Sequence, residues 1–199
     1  MGLSHYLMLG EESMINTLYR MAKEYASYPL HSVMMFTDAH AHVIQMLEDK
    51  RYYKALDEMT GKDVVIFHTR LFQGYYEMPS PPPGVACLMV PVWREPQANR
   101  QLLTLFDMRD SSSFPCLITF CFANGDIHYT KSDIEKTSPQ AAFNSVETIV
   151  QHLVKAAGKS DDRLDAMNKA KFEMRALNIK KGIGEFLNLL GAFRGATGI

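Results

Sequence analysis

The sequence predicts an α/β domain built on a mixed sheet with helices on its flanks. Two features carry that expectation. From Ser32 onward, apolar runs of strand length alternate with stretches of helical periodicity, the pattern of parallel strands joined by crossover helices. Further on, Asn124-Gly125 separates two strand-like runs and adds an antiparallel hairpin, because this dipeptide readily takes the positive φ angles of a tight turn.

Each element has its own local reason. Glu11 to Tyr25 reads as a helix, with Met14, Ile15, Leu18, Met21, Ala22 and Tyr25 recurring at steps of three and four. Pro29 stops it. Ser32 to Thr37 is a buried strand, after which Asp38 is placed to cap one long helix running toward Met59 and closed by Gly61. Asp63 to His68 is β-branched and bounded by turn residues, and is the clearest strand. Met78 to Gly84, with four prolines, reads as a stiff extended loop. Val85 to Val90 is a short strand ended by Pro91, and Pro96 opens a helix through Leu102 and Phe106.

Cys116 to Phe122 and Ile127 to Thr130 are the hairpin strands. Ser138-Pro139 then starts a helix with a capping hydroxyl and a proline in its first turn, and Gly158 ends it. Asp161 to Leu177 is a charged helix with a thin apolar seam. The chain thereby divides into a helical extension over 1–30, a central domain over 31–158 with a proline-rich insertion at about 71–95, and a helical extension over 159–199.

Bulk composition narrows the function classes. The chain has 199 residues, 47% hydrophobic and 22% charged, with 21 basic against 22 acidic side chains. So even a balance supplies no global field for nucleic acid or an anionic membrane. The three cysteines, Cys87, Cys116 and Cys121, contain no CxxC pair and fit a reducing compartment. Neither a secretory leader nor an apolar run of roughly 18 residues is present, so a cytoplasmic location is expected. Lys50-Arg51-Tyr52-Tyr53-Lys54 reads as a solvated helix face rather than a nucleic-acid patch.

The segment Phe114-Pro115-Cys116-Leu117-Ile118-Thr119-Phe120, followed by Asn124-Gly125-Asp126-Ile127, resembles the thioredoxin-like fold superfamily in local order, and the element order from His31 to Gly158 is similar to it as well. The resemblance implies a mixed sheet flanked by helices and a cis peptide bond before Pro115. It also implies an active surface where the helix after the first strand meets that proline. In this chain the helix start carries Ala39-His40-Ala41-His42 instead of the family's CxxC, so disulfide exchange is not expected.

Four groups of residues remain as candidates. Asp38, His40, Pro115 and Cys116 would converge near the proline if the resemblance holds. Cys116 is then either a reactive thiol that binds a small thiol such as glutathione or, more simply, a small buried strand residue. Cys121 should fall on the opposite strand face.

Asp38-x-His40-x-His42, with His68 further on, imitates the first metal motif of hydrolase barrels. Such barrels take about 250 residues, and on a helix the two histidines would diverge by about 200°. Tyr75, Tyr76 and Trp93 flank the proline loop and could anchor a partner. In the tail, Ile183, Phe186, Leu187, Leu190 and Phe193 form an amphipathic stripe suited to a partner subunit or its own core, with too few basic residues for firm membrane attachment.

The resulting expectation is a thioredoxin-like binding or adaptor protein with no redox role. A protein partner or self-association is expected, and no catalytic residue, metal or cofactor is assigned. The alternatives are a thiol-binding protein centred on Pro115 and Cys116 and a metal hydrolase using Asp38, His40 and His42.

Overall fold

Alternating strands and helices assemble into a mixed five-stranded sheet covered on both faces. The computed structural model describes residues 3–6, 14–78, 90–160 and 162–178. In chain order these form β1 (Leu3–Tyr6), α1 (Met14–Glu24), β2 (Leu30–Thr37), α2 (Ala41–Glu48), α3 (Lys50–Thr60), β3 (Val64–Leu71), β4 (Tyr75–Glu77), β5 (Val92–Arg94), α4 (Gln97–Leu105), β6 (Cys116–Ala123), β7 (Asp126–Asp133) and α5 (Pro139–Ala157). A last helix, α6, covers 163–178. The sheet order is β1-β3-β2-β6-β7, with β1, β3 and β2 parallel, β6 antiparallel to β2, and β7 antiparallel to β6.

β2 is the central strand, and all eight of its residues are buried. A strand covered on both faces needs such a run, since each alternate side chain enters a different core. Val33, Met35, Phe67, Cys116 and Phe120 pack with Leu18 of α1 and Leu102 of α4. On the other face Met34, Ile66, Leu117 and Cys121 pack with Met46, Leu56, Val150 and Met167, from α2, α3, α5 and α6. Each fully buried Leu, Met or Phe contributes about 1.5–3 kcal/mol relative to leaving it in water. Cys116 and Cys121 thus face opposite cores, as their odd spacing along a strand requires.

Local chemistry fixes the connections. Asn124 (φ 54°) and Gly125 (φ 85°) make the tight turn that aligns Ala123 with Asp126 and Cys116 with Asp133. Ser138 Oγ accepts the Ala141 N–H at 3.1 Å and caps α5, with Pro139 in the first turn. The Phe114–Pro115 peptide bond is cis. Among the described residues no helix is long and apolar enough to cross a membrane.

Several expectations are corrected. The long helix from Asp38 to Met59 is two helices, α2 and α3, broken at Asp49. The Asp49 backbone is extended and its side chain accepts the Arg51 N–H at 2.9 Å, so the carboxylate starts a new helix where it would otherwise interrupt an old one. Asp38 caps nothing: α2 opens after His40 with no side-chain cap, and the Asp38 carboxylate is paired with Arg70 of β3 instead.

Residues 3–6, read as part of a helical extension, form an edge strand beside β3. His68 does not end a strand, since β3 continues to Leu71, and its ring stacks on Phe36. The insertion contains paired strands, with Tyr76 opposite Trp93. The proline run from Pro79 to Gly84, most of the Val85 to Val90 strand, and the tail residues Ile183, Phe186, Leu187, Leu190 and Phe193 lie outside the described residues.

Candidate functional site

In an open sheet with parallel strands, ligands and chemistry gather at the carboxyl ends of the strands, where the strand order reverses. Here that place is the end of β2, which has parallel β3 on one side and antiparallel β6 on the other. The turn after β2 carries Thr37, Asp38 and His40. The end of β3 brings Arg70 and Gln73, and the loop before β6 brings Phe114 and Pro115.

His40 is the centre of this cluster. The Thr37 backbone N–H donates to His40 Nδ1 at 3.0 Å, so that nitrogen is an acceptor and the ring proton sits on Nε2. Thr37 Oγ1 lies 3.0 Å from the same nitrogen and donates to Gln73 Oε1 at 2.6 Å. Burial, chiefly, lowers the His40 pKa, an effect that a backbone hydrogen bond with Phe114 only partly opposes. The imidazole is therefore neutral near pH 7. It ties the β2–α2 turn to the residue before Pro115.

Pro115 is buried, and its carbonyl accepts the Ile134 N–H at 3.0 Å, which fastens this loop to the residue just beyond β7. Cys116 follows with no exposed surface, and burial pushes its thiol up to about 12. A thiol that stays protonated and out of contact with solvent is a poor nucleophile and a poor exchange partner.

The residues proposed from sequence thus meet only in part. His40 and Pro115 belong to one hydrogen-bonded cluster, and Cys116 lies beneath it. Asp38 is exposed and faces Arg70, while the His42 ring lies 3.4 Å from Gln45 Oε1. The Asp38-x-His40-x-His42 motif does not form a chelate, because His40 Nδ1 is already engaged by Thr37 and the other two side chains turn elsewhere. Among the described residues no three His, Cys, Asp or Glu side chains gather as a metal site.

Tyr75, Tyr76 and Trp93 sit on the β4–β5 ribbon. The Trp93 indole stands edge-on to Tyr76, with ring centroids 5.1 Å apart. Gly74 leaves room for that indole: a Cβ there would come within 2.1 Å of Trp93 Cζ2.

At the ribbon's base Glu95 Oε2 accepts from Trp93 Nε1 (3.0 Å), the Ser111 N–H (3.0 Å) and Ser111 Oγ (2.8 Å), and its Oε1 accepts from Asn99 Nδ2 (2.6 Å). Burial alone would raise the pKa of this carboxyl. The donors from Asn99, Ser111 and Trp93 outweigh burial and hold it below the usual range. Asn99 also bonds the Phe72 backbone, taking its N–H at 3.1 Å and reaching its carbonyl at 2.8 Å. Sequence reasoning missed Glu95, Asn99 and Ser111. Their partners are up to 27 positions away, and the only local sign was a lone acid beside a tryptophan.

No protein-family model, curated protein or solved structure matches this chain.

Proposed function

We propose that this chain is a thioredoxin-like protein without a redox role that works as a binding or adaptor module, holding a protein partner on its β4–β5 ribbon. What supports the fold reading is the strand order, three parallel strands followed by an antiparallel hairpin, with helices on both faces. What supports the absence of redox work is the chemistry at the end of β2, where a neutral histidine clasp stands above a buried thiol.

One observation carries the binding role. The ribbon and its shoulders expose six large apolar side chains, Phe72, Tyr75, Tyr76, Met78, Val90 and Val92, by 42–70%. Single exposed apolar residues are ordinary on a protein surface, whereas a concentration of them marks an interaction site. Their base is rigid, held by the four hydrogen bonds to Glu95. A preorganised aromatic surface loses little entropy on binding. The same geometry disfavours a thiol ligand at Pro115 and Cys116, because the sulfur is not accessible.

The test is capture of native partners by the full chain and by a Tyr75→Ser/Tyr76→Ser variant, with a photo-crosslinking residue at position 76 as a second arm. The reading expects at least a tenfold drop in recovery of a partner that also crosslinks at 76. Equal recovery, together with no crosslink, would overturn it.

A further inference from the structure

A second concave site lies at the opposite end of the sheet, between α1, the β6–β7 turn and the start of α6. It is a groove of about 510 Å³, within the roughly 300–1,000 Å³ common for small-molecule sites. Two cations, Lys23 and Arg163, line it together with the amides of Asn16 and Asn124 and the rings of Tyr19 and Phe122.

Among the described residues no acidic side chain lines the groove. The neighbouring acid, Asp162, has its carboxylate turned to the Asp165 N–H at 2.8 Å, within the first turn of α6. Arg163 donates to the Ala26 carbonyl, which fixes its guanidinium at the groove, and neither it nor Lys23 has a carboxylate partner among the described residues. Tyr19 and Phe122 meet edge to face with centroids 5.3 Å apart, and Tyr19 is 58% exposed.

Two cations with no carboxylate partner among the described residues, beside an aromatic wall and two amide groups, make a specific combination. We propose that this groove binds a small organic anion with a flat apolar body. Its carboxylate or phosphate would sit between Lys23 and Arg163, and its body would lie against Tyr19 and Phe122. Guanidinium and ammonium groups favour such oxyanions through charge-assisted hydrogen bonds, and an aromatic wall adds apolar contact that inorganic anions cannot use. Neither the histidine clasp nor the ribbon takes part, so the assignment stands apart from the adaptor reading.

The experiment titrates the full chain with 1-naphthyl phosphate, 1-naphthoate, 1-naphthol and inorganic phosphate, followed by amide chemical shifts. At least one naphthyl anion should bind tenfold or more tightly than both 1-naphthol and inorganic phosphate, with shifts centred on Asn124 and Gly125. The tighter of the two anions identifies the preferred head group. Lys23→Gln should weaken the anions at least fivefold and leave 1-naphthol unchanged. Tyr19→Ala should weaken the naphthyl anions but not inorganic phosphate; both positions are exposed, so neither change threatens the core. Equal binding of 1-naphthol and the anions, indifference to Lys23→Gln, shifts elsewhere, or no binding of either anion would each overturn the proposal.

Discussion

His40 and Thr37 clasp one another across the turn that joins β2 to α2, with the Thr37 N–H donating to His40 Nδ1 at 3.0 Å. The bond fixes the His40 ring at the entrance to α2, which begins without a side-chain cap on its own first-turn N–H groups. His40→Ala should therefore loosen the turn and the Phe114 loop together. The expected loss is about 1–2 kcal/mol, the worth of a partly buried hydrogen bond and the groups it leaves unpaired. Urea unfolding checks it: the midpoint should fall while the slope stays constant. An unchanged midpoint would show that the clasp contributes nothing to stability.

A second prediction concerns pH. His31 is buried on β2, with Nε2 3.2 Å from the Tyr25 carbonyl and Nδ1 without a hydrogen-bond partner among the described residues. Burial, chiefly, lowers its pKa from 6.5 to about 4. The unfolded chain then takes up this proton more readily than the folded one, so stability is complete above about pH 6.5 and drains away as the pH falls toward 4. A shift of this size corresponds to a loss on the order of 3 kcal/mol. Burial moves His40 and His68 in the same direction. In His31→Phe, which keeps an aromatic ring against Phe120, stability measured from pH 7 to 4 should fall less steeply than in the natural chain. Parallel curves would mean that another group carries the dependence.

Buried thiols give a third prediction. Cys116 and Cys121 are both fully buried, and burial raises both pKa values. Iodoacetamide at pH 7.5 should label them at least a hundredfold more slowly in the folded protein than in denaturant, read site by site by peptide mass. Fast labelling of Cys116 in the folded protein would restore the thiol-binding alternative.

The ribbon has its own reporter, because Trp93 is the sole tryptophan. Gly74→Ala places a Cβ where the indole lies, 2.1 Å from Cζ2. The ring must move, at a cost of about 1–3 kcal/mol, and its emission should shift to the red. Glu95→Gln removes the charge that gathers four donors and should cost about 1.5–3 kcal/mol, with a similar red shift as the ribbon's base loosens. Unchanged emission in both variants would show that the ribbon is held by something else.

Much of the fold was legible because it rests on short-range rules. The run of buried residues in β2, the Asn124-Gly125 turn and the Ser138-Pro139 cap each follow from residues within a few positions. Failures came where a distant partner won. Asp38 looked like a cap and pairs with Arg70, 32 positions away. Asp49, inside a helical pattern, took the capping role. The histidines that imitated a metal motif were separated once Thr37 engaged the first of them.

The opening feature of the sequence, an α/β alternation ending in a hairpin, determined the class of fold, since hydrophobic periodicity and turn chemistry act locally. The absence of a CxxC pair was equally plain from the sequence alone. Which face Cys116 and Cys121 join followed from strand alternation, but how deeply Cys116 is buried depended on α1 and α4, which pack over it from distant parts of the chain. Only the tertiary structure decided that Glu95 anchors an exposed aromatic ribbon, and that Lys23 and Arg163 share a groove with Tyr19 and Phe122. Such sites join residues far apart in sequence, and their geometry exists only once the sheet has brought those segments together.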